Sequence, residues 1–112
     1  MQVSQCKQIG EEPVTFSIII AAWNAEKTIQ TAIKSVADQL KDSFEILIID
    51  DCSTDHTYVY ALSLAKNNPN IKVYQNKKNL GPSNSRNLGI KKAQGLYTGF
   101  LDADDFNSEG LF

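Results

Sequence analysis

Three apolar runs in this chain end abruptly in polar or acidic residues: Phe16–Ala22 in Trp23-Asn24, Glu45–Ile49 in Asp50-Asp51, and Tyr97–Leu101 in Asp102-Ala103-Asp104-Asp105. The first two are short, nearly continuous and rich in β-branched residues, the pattern of strands buried on both faces. Helix-like segments follow both, so the strands are expected to lie parallel in one sheet. Parallel strands present their carboxyl ends along one rim, which is where open α/β sheets bind ligands. One crevice would then gather an aromatic face and two groups of acids from distant parts of the chain. That is the plan of a site for a metal-chelated nucleotide.

The connecting segments support this order. Asn24 is placed to cap a first helix, with Glu26 in its first turn where the helix dipole favours negative charge. Ile29, Ile33, Val36 and Leu40 then form one apolar stripe. Ser53-Thr54-Asp55 offers cap chemistry for a second helix, marked by Tyr58, Leu62 and Ala65 and ending near Asn67-Asn68-Pro69. Ile71–Gln75 reads as a shorter strand. Gly81-Pro82 opens a third helix that is expected to run to about Gln94, with Gly95 as its C′ residue. The expected architecture is β-α-β-α-β-α-β, a Rossmann-like open, mostly parallel sheet. Residues 1–15 read as a polar leader and 16–112 as the α/β domain.

Composition narrows the class. The 112 residues suffice for one domain with a real core, and 42% hydrophobic with 21% charged residues is ordinary for a globular protein. A net charge of −2 and a pI of about 5.3 give no electrostatic footprint for nucleic acid. Lys77-Lys78 and Lys91-Lys92 read as solvated surface. Cys6 and Cys52 form neither a disulfide framework nor a CxxC pattern, so a reducing compartment is the simpler expectation. The leader lacks the apolar core of a signal peptide, and no run approaches the roughly 18 apolar residues of a membrane span. A cytoplasmic protein is expected.

Asp102-Ala103-Asp104 places two carboxylates at i and i+2, on one face of an extended segment, where both can reach one divalent cation. Hard oxygen ligands with few protein contacts suit Mg²⁺ or Mn²⁺; a polar turn after a buried strand is the plainer reading. Asp50-Asp51-Cys52-Ser53-Thr54-Asp55 carries one more acid than a helix cap requires. An acid there can accept from a base N–H or a ribose hydroxyl. Trp23 is either core or, beside Asn24 at a strand end, a platform for a flat base. The start of the third helix favours an anion, and Arg86 adds a fork donor suited to phosphate or a base edge. Neither GxGxxG nor GxxxxGK[ST] occurs. His56 is the only histidine and reads as exposed, which leaves histidine catalysis and zinc without support.

Together, Ile18–Asn24, Asp50–Asp55, Ser85–Ile90 and Phe100–Asp105 resemble the family 2 glycosyltransferases of the GT-A fold. The resemblance covers roughly Thr15 to Phe112, with the four motifs in register. It implies a nucleotide-sugar donor site in which Ala22, Trp23 and Asn24 flank the nucleotide, with Trp23 on the base. It further implies that Asp50 and Asp51 lie at the nucleotide, with Asp51 on the base. Asp102 would reach the ribose or the metal, Asp104 would hold Mn or Mg on the diphosphate, and Arg86 would stand on the donor side. The implied reaction is metal-assisted transfer, with inversion, from a UDP-sugar (GDP- and dTDP-sugars remaining open) to a sugar or lipid-linked glycan acceptor. Alanine stands at position 21 where the family usually has proline. The family's acceptor-binding half and its catalytic base are expected beyond Phe112. Asp105, the spare acid, is not expected to serve as that base, so this chain alone is expected to be inactive in transfer. Self-association through an exposed sheet edge is also expected, as is a membrane-peripheral setting for the full-length enzyme. Two other readings remain: a Mg²⁺-binding phosphoacceptor signalling domain, and a non-enzymatic nucleotide-binding module.

Overall fold

The computed structural model describes residues 14–39 and 43–102. Its elements run β1 (Phe16–Ala22), α1 (Ile29–Gln39), β2 (Phe44–Asp50), α2 (Thr57–Lys66), β3 (Ile71–Gln75), α3 (Pro82–Lys92) and β4 (Tyr97–Asp102). The strands form one parallel sheet in the order β3-β2-β1-β4. The expected order of elements is the observed one. Among the described residues, no helix is long and apolar enough to cross a membrane.

The two central strands β1 and β2 are buried on both faces, as their continuous apolar runs require, while the edge strand β4 exposes Tyr97 and Phe100. On one face Ile18, Ile20, Ile46 and Ile48 pack against Ile29, Ala32, Ile33 and Val36 of α1 and Ala61 of α2. On the other, Ile19, Leu47 and Ile49 meet Leu88 of α3, with Tyr74 and Ala93 alongside. Each fully buried isoleucine or leucine contributes about 1.5–3 kcal/mol by leaving water. The single step from β3 over α3 to β4 carries the chain across to the far side of β1. The sheet is thereby wound in both directions from β1.

Three local expectations are corrected. Asn24 does not cap α1: the chain first turns over Ala25–Thr28, where the amides of Thr28 and Ile29 both donate to the Ala25 carbonyl, and the helix begins at Ile29. Glu26 therefore lies outside its first turn. Leu62 faces solvent at 44% exposure, and α2 instead buries Thr57 and Ala61, because the small Ala61 lets the helix sit close to the sheet. The third helix stops at Lys92 rather than near Gln94. Its continuation is pulled away because the amides of Gln94 and Gly95 donate to side chains of the sheet, Glu45 Oε2 at 2.7 Å and Ser17 Oγ at 2.7 Å. Leu40, the last residue of the expected α1 stripe, lies outside the described residues.

Gly95 passes so close to β1 that a Cβ there would sit 2.6 Å from Ser17 Oγ, 2.7 Å from the Ser17 amide nitrogen and 2.8 Å from the Phe16 carbonyl carbon. Two of those neighbours are backbone and cannot swing aside. Gly95→Ala is expected to destabilise the fold by about 1–2 kcal/mol, overpacking outweighing the benefit of a smaller conformational entropy in the unfolded chain. Urea melts check this; a variant as stable as the parent would show that the strand yields.

Candidate functional site

Because β1 and β2 run parallel and in register, their ends lie side by side, with Ala22 opposite Asp50. The loops that leave them are bound together by side chains. Asn24, in the left-handed region at φ 49°, donates its amide to Ser53 Oγ (2.9 Å) and accepts the Thr54 amide on Oδ1 (2.8 Å). The Ala25 amide donates to Thr57 Oγ1 (2.7 Å), and the His56 amide donates to Glu26 Oε1 (3.1 Å). Asp55 accepts the Thr57 amide on Oδ1 (2.9 Å) and so serves the start of α2, as expected of this segment. Burial raises the Asp55 pKa, but hydrogen bonds from the Thr57 hydroxyl and amide and from the Glu26 amide outweigh it, holding the carboxyl below its ordinary value. His56 itself is exposed.

The two adjacent acids have different surroundings. Asp50 is wholly buried and accepts from the Ser53 amide and hydroxyl and, at 3.2 Å, from Gln75 Nε2. It does not line the crevice, and its carboxylate is spent on shaping the β2–α2 loop. Asp51 does line it. Its Oδ1 accepts Asn76 Nδ2 (2.8 Å) and the Leu80 amide (2.8 Å), while Oδ2 accepts the Gly81 amide (2.9 Å). The last two amides lie just ahead of α3, on its N-cap Gly81 and the residue before it, so Asp51 sets an anion supplied by the chain itself at the mouth of that helix.

Trp23 is 54% exposed and stands on the crevice wall, so it is no part of the core. A crevice of about 600 Å³ is lined by Ala21, Ala22 and Trp23 from the end of β1, by Asp51, Cys52 and Thr54 from the loop after β2, and by Pro82, Ser85 and the half-buried Arg86 from the start of α3. Cys52 adopts φ 61°, and its Sγ lies 3.7 Å from the Lys77 carbonyl. The sequence did not point to Asn76, which is buried and donates from Nδ2 to Asp51 Oδ1 and, at 3.0 Å, to the buried Ser85 Oγ. Ser85 opens one of the motifs that carry the family resemblance, but its link to Asn76 and through it to the distant Asp51 leaves no local pattern.

Asp102 ends β4 and pairs with Ala21, which brings its backbone to the same rim. Its side chain, and the whole of Asp104 and Asp105, lie outside the described residues. Among the described residues, no group of three or more histidine, cysteine or acidic side chains is disposed to hold a metal ion. By residue type, the carboxylates of Asp102 and Asp104 are a fitting donor set for Mg²⁺ or Mn²⁺, which take the rest of their shell from water and phosphate.

Residues 17–112 match the profile of Glycosyl transferase family 2. The chain belongs to that family. Poly(ribitol-phosphate) beta-N-acetylglucosaminyltransferase TarS of Staphylococcus aureus is 40% identical to it over 100 residues, covering 86% of this chain and 17% of TarS. The crystal structure of S. aureus TarS 1-349 in complex with UDP-GlcNAc has a TM-score of 0.76 at 38% identity, over 88% of this chain and 29% of that one. The mannosyltransferase PcManGT from Pyrobaculum calidifontis, in complex with GDP-Man and Mn2+, shares the fold at TM-score 0.75 and 20% identity, over 85% of this chain and 29% of that one. This family 2 chain therefore spans a minor part of the relatives that it matches, and its fold is that of glycosyltransferase GT-A domains.

Proposed function

We propose that this chain forms the donor-binding part of an inverting, metal-assisted glycosyltransferase that uses a UDP-sugar. The observation that carries the reading is an exposed tryptophan and a fixed carboxylate lining one crevice at the carboxyl rim of a parallel sheet. The 38% identity to a chain crystallised with UDP-GlcNAc supports the choice of nucleotide. Trp23 offers its ring to the base, and Asp51 accepts a hydrogen bond from the base edge. Ala22 leaves room for the ring, while Asn24 and Asp50 act at one remove by holding the two loops. Arg86 presents guanidinium donors from α3 toward the phosphates or the base edge. Asp102 and Asp104 would hold Mn²⁺ or Mg²⁺, whose chemistry is to neutralise charge on the leaving diphosphate. In the whole enzyme the acceptor hydroxyl attacks the anomeric carbon in line, and the base that takes its proton is placed downstream of Phe112.

Trp23 is the only tryptophan, so its fluorescence reports on the crevice directly. Addition of UDP with Mn²⁺ is expected to quench it saturably; an unchanged spectrum would remove the donor-site reading. Asp104→Ala is expected to abolish the metal-dependent part of UDP affinity in titration calorimetry. Equal affinity with and without metal in the unmodified chain would sink the metal assignment.

A further inference from the structure

The carboxylate of Asp51 is held more tightly than a ligand-binding group needs for its position alone. Each carboxylate oxygen can accept two hydrogen bonds. Oδ1 has both, from Asn76 Nδ2 and the Leu80 amide, whereas Oδ2 has one, from the Gly81 amide. Asn76 is itself braced: its amide nitrogen Nδ2 also donates to Ser85 Oγ (3.0 Å), and its backbone N–H donates to the Asp50 carbonyl (2.8 Å). Asn76 is 7% exposed and Ser85 fully buried, so water does not compete freely for either.

We infer that Asn76, braced on Ser85, is a positioning residue that leaves Asp51 a single acceptor site toward the crevice and thereby makes the site select uracil over cytosine. This role for Asn76 rests on the donor-site reading and adds the means by which the site selects its base. Uracil presents a ring N–H, a donor matched to one fixed acceptor. Cytosine presents a bare ring nitrogen at the same place, whose lone pair opposes the carboxylate, and its amino group lies to one side. A fixed carboxylate cannot follow that displacement. Without Asn76, Oδ1 keeps only the Leu80 amide and gains a vacant acceptor site, and the carboxylate, still held by the Leu80 and Gly81 amides, can tilt about its broad terminal torsion toward the amino group.

The test is a pair of titrations of Trp23 fluorescence, with UDP and with CDP, in the same Mn²⁺ buffer. The unmodified chain is expected to prefer UDP by at least about tenfold, the difference made by one mismatched buried hydrogen bond. In Asn76→Ala the preference is expected to fall to within about threefold, UDP affinity dropping more than CDP affinity. Ser85→Ala is expected to move the ratio in the same direction by less. General loosening of the fold would weaken both nucleotides alike and leave the ratio unchanged, which would overturn the inference. Should Asn76→Ala melt below the assay temperature, Ser85→Ala decides by the same criterion. If the unmodified chain binds neither nucleotide, the donor-site reading and the inference fall together. If it prefers UDP but neither variant alters the ratio, the positioning role alone is wrong.

Discussion

Trp23→Ala is expected to weaken UDP binding by about tenfold or more, while the melting temperature hardly moves. Stacking of a base on an aromatic ring contributes about 1–3 kcal/mol, which is tenfold or more in affinity. The ring is 54% exposed, so its removal costs the fold little; a surface change of this kind stays within about 0.5 kcal/mol. Calorimetry must give the affinity, since the substitution deletes the fluorophore. A large drop in melting temperature would mean that Trp23 braces the loop, and the loss of binding would then follow from instability. Unchanged affinity in a stable variant would place the base elsewhere.

Glu45→Ala is expected to cost about 2–4 kcal/mol of stability and on the order of 10 °C in melting temperature. Glu45 is 2% exposed between the two layers. It accepts from Ser17 Oγ (2.6 Å) and the Gln94 amide (2.7 Å) on Oε2, and from Lys72 Nζ (3.1 Å) on Oε1. Truncation leaves the Ser17 hydroxyl and the Gln94 amide facing a void, while the partly exposed Lys72 ammonium turns to water. Burial raises the Glu45 pKa, but the Ser17 hydroxyl, the Gln94 amide and the Lys72 ammonium together outweigh it and hold the carboxyl below its ordinary value. A folded pKa below the unfolded one means stability that is fully present above the unfolded value, about 4.3, and lost as pH falls through the folded value. The parent should thus lose stability steeply on acidification below about pH 4.3, and Glu45→Gln should show a shallower limb. Parallel acid limbs in parent and variant would remove Glu45 as the cause.

The strands were legible because each is a compact apolar run with an abrupt polar end, and nothing else in the chain competes for that reading. Trp23 and Asp51 followed from their places at those ends. What was not legible depends on distant partners. Asn24 has the chemistry of a helix cap, but Ser53 and Thr54 engage it across the rim instead. The stripe of α2 misled because Tyr58 and Leu62 are large and apolar, whereas the close packing is made by Thr57 and Ala61. Asp50 and Asp51 look equivalent in sequence; only the fold shows one turned to its own loop and the other to the crevice. Glu45 left one trace that could have been followed. Ser17 and Glu45 hold the same place in two apolar runs, and the structure pairs them directly.

The register of β1 also limits how the length of such a chain can vary. Ala21 is matched to Ile49 on one side and to Asp102 on the other. One residue inserted into β1 would advance its end by about 3.3 Å and exchange its two faces. Trp23 would then leave the level of Asp51 and Asp102, and Ile18 and Ile20 would trade places with Ile19. Both neighbouring ladders would have to slip together to absorb the change. Changes of length are therefore expected to be poorly tolerated within β1 and to be accommodated in the connections between elements.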